Sequence, residues 1–483
     1  MSAVDRDTWL RRTKQGNAAD DAGAVVRAWR ASNKQNQTAV ASLLGITQQN
    51  LSQIEKGTRP VSLELRRKLV ELLGIAPEDL GLSSGQARSF IASDDASPHI
   101  AFSRFQWRNQ RRWLNQHRSE LAQLAVNLYP AEYRVPRTPL ISHPEWVAAG
   151  PVELSTLNLT LSEQPHPVVV DGSESETEPV RPLRVGTTHF ERYTSVIKHL
   201  DPPTLFESRP SYRLLSADLV TNKFEFGLAA YFDKLDVSEA LGHELARACM
   251  DKGIPTDPAQ LRGQLPFRDL IGDPFDPARR AIIPAITTLT IRLRRYPAEP
   301  SFLLHWRDPA KVATAAGVYD VIPAGEFQPS SVALWDRTND FDIWRNIVRE
   351  YSEELLGEPE FDGTRTQPID YDNWSLYREL TQARQDGSVG AFFLGTGMDA
   401  LTLAATMLTV VVIDDDVFER VFGDAVRYND EGEIVAVGGG TPTEGIPFTA
   451  ECVDRMLSSE PMASPGAACL ALAWKHRDQL LGF

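Results

Sequence analysis

The sequence predicts a multi-domain protein with an all-α N-terminal domain followed by a larger α+β body. Its 483 residues exceed what one hydrophobic core holds, and at roughly 100–200 residues per domain they indicate about three domains. Near the N-terminus, apolar residues recur at helical spacing. From about residue 150 onward, alternating strand-like segments are mixed with helical ones, which favours the α+β class.

The composition indicates a protein of a reducing, aqueous compartment. The longest apolar run, residues 400–413, is too short for the roughly 20 residues that span a bilayer. The first twelve residues, MSAVDRDTWLRR, include acidic residues and lack the apolar segment of a signal peptide. Cys249, Cys452 and Cys469 lie far apart and form no CxxC pair. These features predict a cytoplasmic location without a disulfide framework.

Four helices are predicted in residues 21–82, the N-terminal domain. The first covers about residues 21–31, and the second begins at Gln37. Gly45 ends the second helix because glycine tolerates the positive φ of a helix end, and Thr47 and Ser62 are suitable N-caps for the third and fourth helices. A short turn is predicted from Pro77. The inward-facing apolar residues are Val25, Val26, Trp29, Val40, Leu43, Leu44, Leu51, Ile54, Leu65, Leu69, Leu72 and Leu73.

The second and third helices carry polar residues that are candidates for contacting DNA. Such a third helix must direct polar side chains outward at its N-terminal turn, while apolar residues hold its back to the core. Glutamine amides can form paired hydrogen bonds with an adenine edge, and polar or basic side chains bond phosphates. Candidates for base contact are Gln48, Gln49 and Gln53; candidates for phosphate contact are Gln37, Ser52, Lys56 and Arg59; Thr47 and Asn50 complete the DNA-binding set.

The stretch QTAVASLLGITQQNLSQIEKGTR, from Gln37 to Arg59, resembles the helix-turn-helix of the lambda-repressor/Cro-like (XRE) family. The resemblance extends over about residues 22–82. It implies binding to double-stranded DNA as a homodimer, since one such module supplies little affinity and paired half-sites supply the rest. The alternative is a generic helical bundle with a polar surface.

The charge distribution agrees with a DNA-binding head. The first 120 residues hold 18 Lys and Arg against 12 Asp and Glu, whereas the remainder holds 32 against 53. The net charge of −15 is therefore carried by the body. A basic module joined to an acidic one is typical of a protein whose first part binds nucleic acid, and the acidic part limits non-specific binding.

Residues 83–130 are predicted to be a linker followed by a basic helix. Residues 83–97, GLSSGQARSFIASDD, are small and polar. The helix after them carries arginines outside its apolar face, so it either adds phosphate contacts, pairs two subunits, or simply connects the domains.

Residues 131–280 are predicted to form an α+β middle region. VELSTLNLTL, from Val152, alternates as a half-buried strand does, and DGSESETE, from Asp171, is predicted to be a disordered surface loop. Glu239, His243 and Glu244 share a predicted surface helix. Arg247 stands where the zinc pattern HExxH needs its second histidine, so this helix does not indicate a zinc site.

Residues 281–483 are predicted to form the last domain. Its most specific motif is REYSEELLG, which begins at Arg349. Glu350, Glu353 and Glu354 stand at i, i+3 and i+4, which places their carboxylates on one helix face. Such a cluster can bind Mg²⁺, which prefers oxygen ligands and phosphate. The alternative is a surface helix with Ile347 and Leu355 inward and a solvated acidic face.

The order of elements over roughly residues 282–416, together with REYSEE, resembles the Nudix fold with flanking helices. The resemblance implies that Arg349 orients the glutamates and that a bound Mg²⁺ activates water toward a diphosphate. The sequence departs from the family pattern: Gly325 and Glu326 lie too far upstream, Phe341 stands where the family has glutamate, and Gly357 is shifted by one position.

These observations predict a transcription regulator whose helix-turn-helix binds DNA and whose Nudix-like body senses a small ligand, a nucleotide or another phosphate-bearing metabolite. The predicted location is the cytoplasm, in association with the nucleoid. One alternative is a Mg²⁺-dependent hydrolase of a nucleoside diphosphate derivative that also binds DNA. Another is a scaffold whose body binds a second protein.

Overall fold

The computed structural model describes residues 22–32, 35–73, 75, 80, 98–164, 166–203, 206–307, 318–359, 365–423, 432–435 and 445–482. The predicted linker at 83–97 and most of the predicted turn that begins at Pro77 lie outside these residues. The chain divides into two compact units, Met1–Asn109 with Arg181–Glu191, and Gln110–Val180 with Arg192–Phe483. Residues on both sides of position 280 belong to the second unit, and the domain boundaries predicted from the sequence stay predictions.

The secondary structure follows the chain as helices first and a mixture of strands and helices afterwards. The helices before residue 130 are α1 (Ala22–Ser32), α2 (Gln37–Leu44), α3 (Gln48–Glu55), α4 (Leu63–Leu73), α5 (Pro98–Gln116) and α6 (Arg118–Val126). The elements up to residue 271 are β1 (Leu140–Ile141), β2 (Val147–Glu153), β3 (Asn158–Leu161), β4 (Leu183–Val185), β5 (Thr188–His189), α7 (Tyr193–Leu200), β6 (Pro210–Asp218), β7 (Lys223–Ala230), α8 (Tyr231–Met250) and α9 (Pro266–Ile271).

The remaining elements belong to the second unit. They are β8 (Pro284–Arg294), β9 (Glu299–Phe302), β10 (Leu304–Arg307), β11 (Val318–Val321), β12 (Ala324–Glu326), α10 (Asp336–Asn339), α11 (Ile343–Glu354), α12 (Ser375–Gln385), β13 (Val389–Asp399), β14 (Ala405–Asp414), α13 (Asp415–Phe422), β15 (Gly432–Val435), β16 (Ile446–Pro447), α14 (Ala450–Ser459), α15 (Ser464–Lys475) and α16 (Arg477–Leu480).

The first unit has a small helical core to which α5 contributes. Leu51 and Leu69 are fully buried in the cluster formed by α1–α4. Phe105 of α5 joins that cluster, with its ring 5.2 Å from the ring of Trp29 in an edge-on contact. The predicted helical N-terminal region is confirmed, and its core includes a residue from beyond the predicted domain.

The β4–β5 hairpin belongs to the first unit although it lies far along the chain. The Arg104 side chain of α5 donates hydrogen bonds to the carbonyl oxygens of Leu183 (3.2 Å) and Arg184 (2.9 Å). The Leu183 N–H in turn donates to the Ser103 hydroxyl at 3.0 Å. These contacts bring two distant segments together, and local sequence patterns gave no sign of them.

The second unit is built on a mixed sheet. Within the described residues, the largest sheet has eight strands in the order β1-β13-β14-β8-β9-β16, with β12 beside β8 and β2 beside β13. β14 and β8 run parallel, whereas β13 pairs antiparallel with β14. Leu289 and Ile291 of β8 pack in a core with Cys469 and Leu470 of α15. The predicted α+β class of the body is confirmed.

Two predictions about the middle region are wrong. Val152–Leu161 is not one strand, because a 3-10 helix separates β2 from β3 and the two strands lie in different sheets. The acidic stretch from Asp171 is ordered: the Glu174 carboxylate accepts the N–H groups of Asp171 and Gly172, at 2.7 and 2.9 Å, and Arg192 pairs with the Asp171 carboxylate at 2.7 Å.

The prediction of a surface helix around His243 is also wrong, because α8 is largely buried. His243 is fully buried, and its Nδ1 lies 2.7 Å from the Tyr193 hydroxyl. Burial, together with the nearby Arg111 and Arg247, lowers the pKa of His243 to about 3. The Glu239 carboxylate accepts a hydrogen bond from Arg111 at 2.8 Å. These side chains satisfy one another inside the body, which explains polar residues on an interior helix.

Candidate nucleic-acid interface

The turn between α2 and α3 has the geometry that its residues dictate. Gly45 adopts φ 68° and ψ 34°, the left-handed conformation that glycine adopts without strain. The Thr47 hydroxyl caps α3 by accepting the Asn50 N–H at 3.2 Å. Asn36, which was not predicted as a cap, caps α2 by accepting the Ala39 N–H at 2.8 Å. The predicted turn and cap are confirmed.

The back of α3 is fixed by close packing. Leu51 is fully buried and Ile54 is 2% exposed, as predicted. A Cβ atom on Gly23 of α1 would lie only 2.0 Å from the Ile54 carbonyl oxygen. The two helices therefore cross so closely that only glycine fits at this position. This close approach limits how far α3 can move relative to α1.

The candidate DNA-binding residues lie at the surface of the first unit. Thr47, Gln48, Gln49, Lys56 and Arg59 are exposed. The half-buried members are Gln37, Asn50, Ser52 and Gln53. The face of α3 that does not pack on the core therefore presents amides, a hydroxyl and two cations, which are the groups that contact bases and phosphates.

A chain of hydrogen bonds runs from the core to this surface. The Gln48 amide nitrogen donates to the Gln37 amide oxygen at 2.8 Å, and the Gln37 nitrogen donates to the Glu55 carboxylate at 2.7 Å. Arg30 of α1 donates two hydrogen bonds to the same carboxylate, at 2.6 and 3.0 Å. We call these four residues the α3 polar relay.

Glu55 is the buried anchor of the α3 polar relay, at 3% exposure. Burial alone would raise the pKa of Glu55, but the hydrogen bonds from Arg30 and Gln37 outweigh burial and hold that pKa below its ordinary value. The hydrogen bond to Glu55 likewise raises the pKa of Arg30. Glu55 is therefore ionised at neutral pH and accepts from both partners.

The ionised carboxylate also determines the orientation of the Gln37 amide. A carboxylate only accepts hydrogen bonds, so the Gln37 nitrogen must face Glu55 and the Gln37 oxygen must face Gln48. The nitrogen of Gln48 must then donate to that oxygen. One N–H and the amide oxygen of Gln48 remain for other partners, which is the pair of groups that an adenine edge requires.

Arg59 is held at the other end of α3. Its Nη1 donates to the Asn50 amide oxygen at 2.8 Å, and both residues belong to the predicted DNA-binding set. This hydrogen bond holds the exposed guanidinium of Arg59 beside α3. The other N–H groups of the guanidinium can bond a phosphate.

Arg30, Glu55 and Gly23 were not among the residues predicted from the sequence to form the site. Glu55 follows Leu51 by four residues, so helical spacing placed it on the inward face, where an acidic residue needs a partner. That signal could have identified Glu55 as buried. No sequence pattern pointed to Arg30, because its pairing with Glu55 depends on how α1 crosses α3.

The glutamates of α11 form the second candidate site. The carboxyl group of Glu350 lies against Gly325 of β12, where an added Cβ would be 2.0 Å from the carboxyl carbon. Glu354 accepts the Ala324 N–H at 3.0 Å, and Glu353 is half-buried. Helix α11 and strand β12 are therefore in direct contact through two of the three predicted metal ligands.

Metal binding by these glutamates stays a prediction. Among the described residues, no three His, Cys, Asp or Glu side chains are grouped so that they could hold a metal ion. Arg349, the residue predicted to orient the glutamates, is buried and donates instead to the Gln328 carbonyl oxygen at 2.8 Å. It also pairs with Asp340 at 3.5 Å.

Comparison with known proteins agrees with the N-terminal assignment. The family model described as Helix-turn-helix (HTH_3) matches residues 26–80, which contain α2, the turn, α3 and α4. The match supports a DNA-binding transcription regulator of XRE-like type. No curated protein matches the chain. None of the helices in the described residues has the length and apolar character that crossing a membrane requires.

Proposed function

We propose that the protein is a cytoplasmic transcription regulator in which α3 enters the major groove of double-stranded DNA. The observation that carries the proposal is the α3 polar relay, because it fixes an exposed amide at the N-terminal turn of α3. The helix-turn-helix match covers the same residues. Gln48 and Gln49 contact base edges, and Gln53 extends that contact along the groove.

Phosphate contacts set the register of α3 in this proposal. Lys56, Arg59, Ser52 and Thr47 supply side-chain donors. Gln37 differs from the sequence-based expectation, because its amide is engaged by Glu55 and Gln48. Gln37 therefore contributes its main-chain N–H at the start of α2, where the helix dipole favours an anion.

A homodimer supplies the affinity that one module lacks. Two copies of α3 occupy half-sites one helical turn, about 34 Å, apart along the DNA. The body then controls DNA binding by sensing a small ligand, such as a nucleotide. A ligand changes DNA binding only if its affinity differs between the DNA-competent and DNA-incompetent arrangements.

Selection of bound sequences from random DNA tests the proposal. The full chain at about 150 mM salt should enrich a two-part site, and Gln48→Ala should lower affinity by roughly five- to 150-fold, since a bidentate base contact contributes about 1–3 kcal/mol. Gln106→Ala is the matched control, because Gln106 is an exposed glutamine of the same unit. Failure to enrich any sequence would overturn the proposal.

A second candidate function is Mg²⁺-dependent hydrolysis of a nucleoside diphosphate derivative by the Nudix-like part of the body. The contact of Glu350 and Glu354 with β12 favours it, since two carboxylates converge on one strand. Phosphate release from a panel of such compounds, measured with Mg²⁺ and lost in Glu353→Gln, would support this function. Glu379→Gln is the control because Glu379 is a surface residue paired with Arg420. No release across the panel would remove the candidate.

A further inference from the structure

A cleft of about 750 Å³ opens in the second unit. It lies between α6, residues 134–138 just before β1, and the end of α14. Its size is within the range of small-molecule sites. Its lining includes Ser119, Gln123, Arg134, Arg137, Ser458 and Glu460. None of the described residues that line it belongs to α11.

Several polar groups of this cleft are already engaged within the protein. Arg134 donates to the Tyr129 carbonyl oxygen at 2.8 Å and to the Asn127 amide oxygen at 2.9 Å. The Thr138 hydroxyl donates to the Val135 carbonyl oxygen at 3.0 Å. The Ser458 hydroxyl donates to the main chain one turn earlier. These groups shape the wall and have little capacity left for a ligand.

Other polar groups of the cleft remain available. Within the described part of the chain, the half-buried Glu460 carboxylate makes no hydrogen bond or ion pair, and neither do the side chains of Ser119 and Gln123. Arg137 pairs with Asp454 at 2.5 Å, but that pair is solvent-exposed and uses one of the two terminal nitrogens of the guanidinium. Exposed ion pairs are weak, so a ligand carboxylate can compete for the guanidinium.

The backbone at Arg137 is a second, independent feature of the cleft. Arg137 has φ 68°, in the left-handed region that an arginine rarely adopts. This conformation costs roughly 1–2 kcal/mol relative to the right-handed one. Such strain persists where the surrounding structure imposes it, and it concentrates at binding sites. Arg137 is one of the residues that line the cleft.

The lining chemistry separates ligand classes. Of the described residues that line the cleft, none is aromatic, so the cleft has no ring on which a nucleotide base would stack. The lining includes both a cation, Arg137, and an anion, Glu460, which favours a ligand that carries both charges over a polyanion. Serine and glutamine supply neutral hydrogen-bonding groups.

We infer that this cleft binds a small zwitterion, an amino acid or a short peptide, with its carboxylate on Arg137 and its ammonium group on Glu460. Ser119 and Gln123 bond the remainder of the ligand. A free amino acid and a short peptide share this chemistry and differ in the separation of the two charges.

The cleft also has a connection to the first unit along the chain. Ser119 and Gln123 belong to α6, which begins two residues after α5 ends, and the first part of α5 is in the unit that contains α3. Regulation of DNA binding by the zwitterion rests on the proposed function. Binding of the zwitterion to the cleft does not, and the two are measured separately.

Calorimetric titration of the full chain tests the binding. The probes are the standard amino acids, diglycine and triglycine, with acetate, ethylamine, inorganic phosphate and AMP as comparison ligands, each to about 10 mM. We expect heat of binding for at least one zwitterion and none for the comparison ligands. Heat of binding with the single amino acids or with diglycine and triglycine shows which of the two ligand types the cleft prefers.

Variants then assign the charges. Arg137→Asn keeps a residue that tolerates the left-handed conformation, and Glu460→Gln keeps the shape of its side chain; each should lower affinity at least tenfold, or about 1.4 kcal/mol. Asp454→Asn removes the surface ion pair and should leave affinity equal or higher. Arg294→Ala and Glu299→Gln are controls, because these residues form another exposed pair. Gln123→Ala, at an exposed position, should reduce affinity without affecting folding.

The outcomes separate the two proposals. No binding by any zwitterion, unchanged affinity in both charge variants, or binding of phosphate or AMP that Arg137→Asn abolishes would each overturn this inference. Loss of sequence-selective DNA binding would instead overturn the proposed function while leaving the zwitterion site intact.

Discussion

Replacing Glu55 by glutamine removes the negative charge at the buried end of the α3 polar relay. Glu55 is 3% exposed and accepts two hydrogen bonds from Arg30 and one from Gln37. An amide in its place offers one oxygen to these donors and turns an N–H₂ group toward the others. The half-buried guanidinium of Arg30 then lacks its counter-ion.

The expected loss of stability follows from this geometry. Breaking a fully buried ion pair costs about 3–5 kcal/mol, and a hydrogen bond to a charged group contributes about 1.5–3 kcal/mol. The side chain of Arg30 is 22% exposed and can be partly rehydrated. We therefore expect Glu55→Gln to lower the free energy of unfolding of α1–α4 by about 2–3 kcal/mol.

Hydrogen exchange measured by mass spectrometry on the full chain is the suitable assay, since it reports the stability of α1–α4 separately from that of the body. Exchange of the most protected amides in α3 and α4 should accelerate roughly 30- to 150-fold. DNA affinity should fall a further two- to tenfold, because Gln37 and Gln48 would need about 0.5–1.5 kcal/mol to be ordered on binding.

The pH dependence gives a second measurement of the same effect. Because the folded-state pKa of Glu55 is lowered, its contribution is fully present above the ordinary pKa of a glutamate. It is lost as the pH falls through the lowered folded value. Protection of α3 in the unaltered protein should therefore fall in that acidic window, and Glu55→Gln should remove this component of the fall.

Glu64→Gln is the control for these experiments. Glu64 is 81% exposed and lies 3.8 Å from Lys68 in a surface pair of α4, so its loss should change stability by no more than about 0.5 kcal/mol. Equal exchange rates in Glu55→Gln and Glu64→Gln would refute the reasoning, because they would mean that the Arg30–Glu55 pair does not stabilise the fold.

Three further predictions concern single contacts. Gly23→Ala should destabilise α1–α4 by about 1–3 kcal/mol, because the added Cβ would meet the Ile54 carbonyl oxygen at 2.0 Å; unchanged thermal unfolding would contradict it. Thr47→Ala should cost about 1 kcal/mol through loss of the α3 cap, measured by the same exchange assay. Burial raises the pKa of Asp236 to about 6. The carboxylate accepts the Thr194 N–H at 2.7 Å, and this hydrogen bond lowers the pKa by less than burial raises it. The contribution of Asp236 to body stability should therefore be fully present below its unfolded pKa and be lost as the pH rises through about 6, and Asp236→Asn should remove that component in a thermal-unfolding series.

Local structure in the first unit was predictable because its determinants are local. A glycine at position 45 fits the left-handed turn wherever that turn is placed, and a threonine at position 47 caps the helix that follows it within three residues. The inward residues Leu51 and Ile54 follow from helical periodicity. The nine candidate DNA-binding residues came from the same periodicity, read together with a family resemblance.

Interior polar residues of the body were harder to predict. Glu239 and His243 have the spacing of an exposed helix face, yet α8 is packed on several sides. An acidic stretch such as that from Asp171 has the composition of a disordered loop, and its order depends on Arg192, some twenty residues away. The sequence shows which side chains are polar. Only tertiary packing decides whether those side chains bond to another residue or to water.

The sequence by itself determined the helix-turn-helix, its turn, its cap and the surface-directed amides, because each depends on residues within one or two helical turns. Tertiary structure alone decided what holds those amides in place. Arg30 and Glu55 are 25 residues apart, and their ion pair exists only because α1 crosses α3 at Gly23. A buried charge needs a partner of opposite charge close in space, and that partner can lie at any distance along the chain.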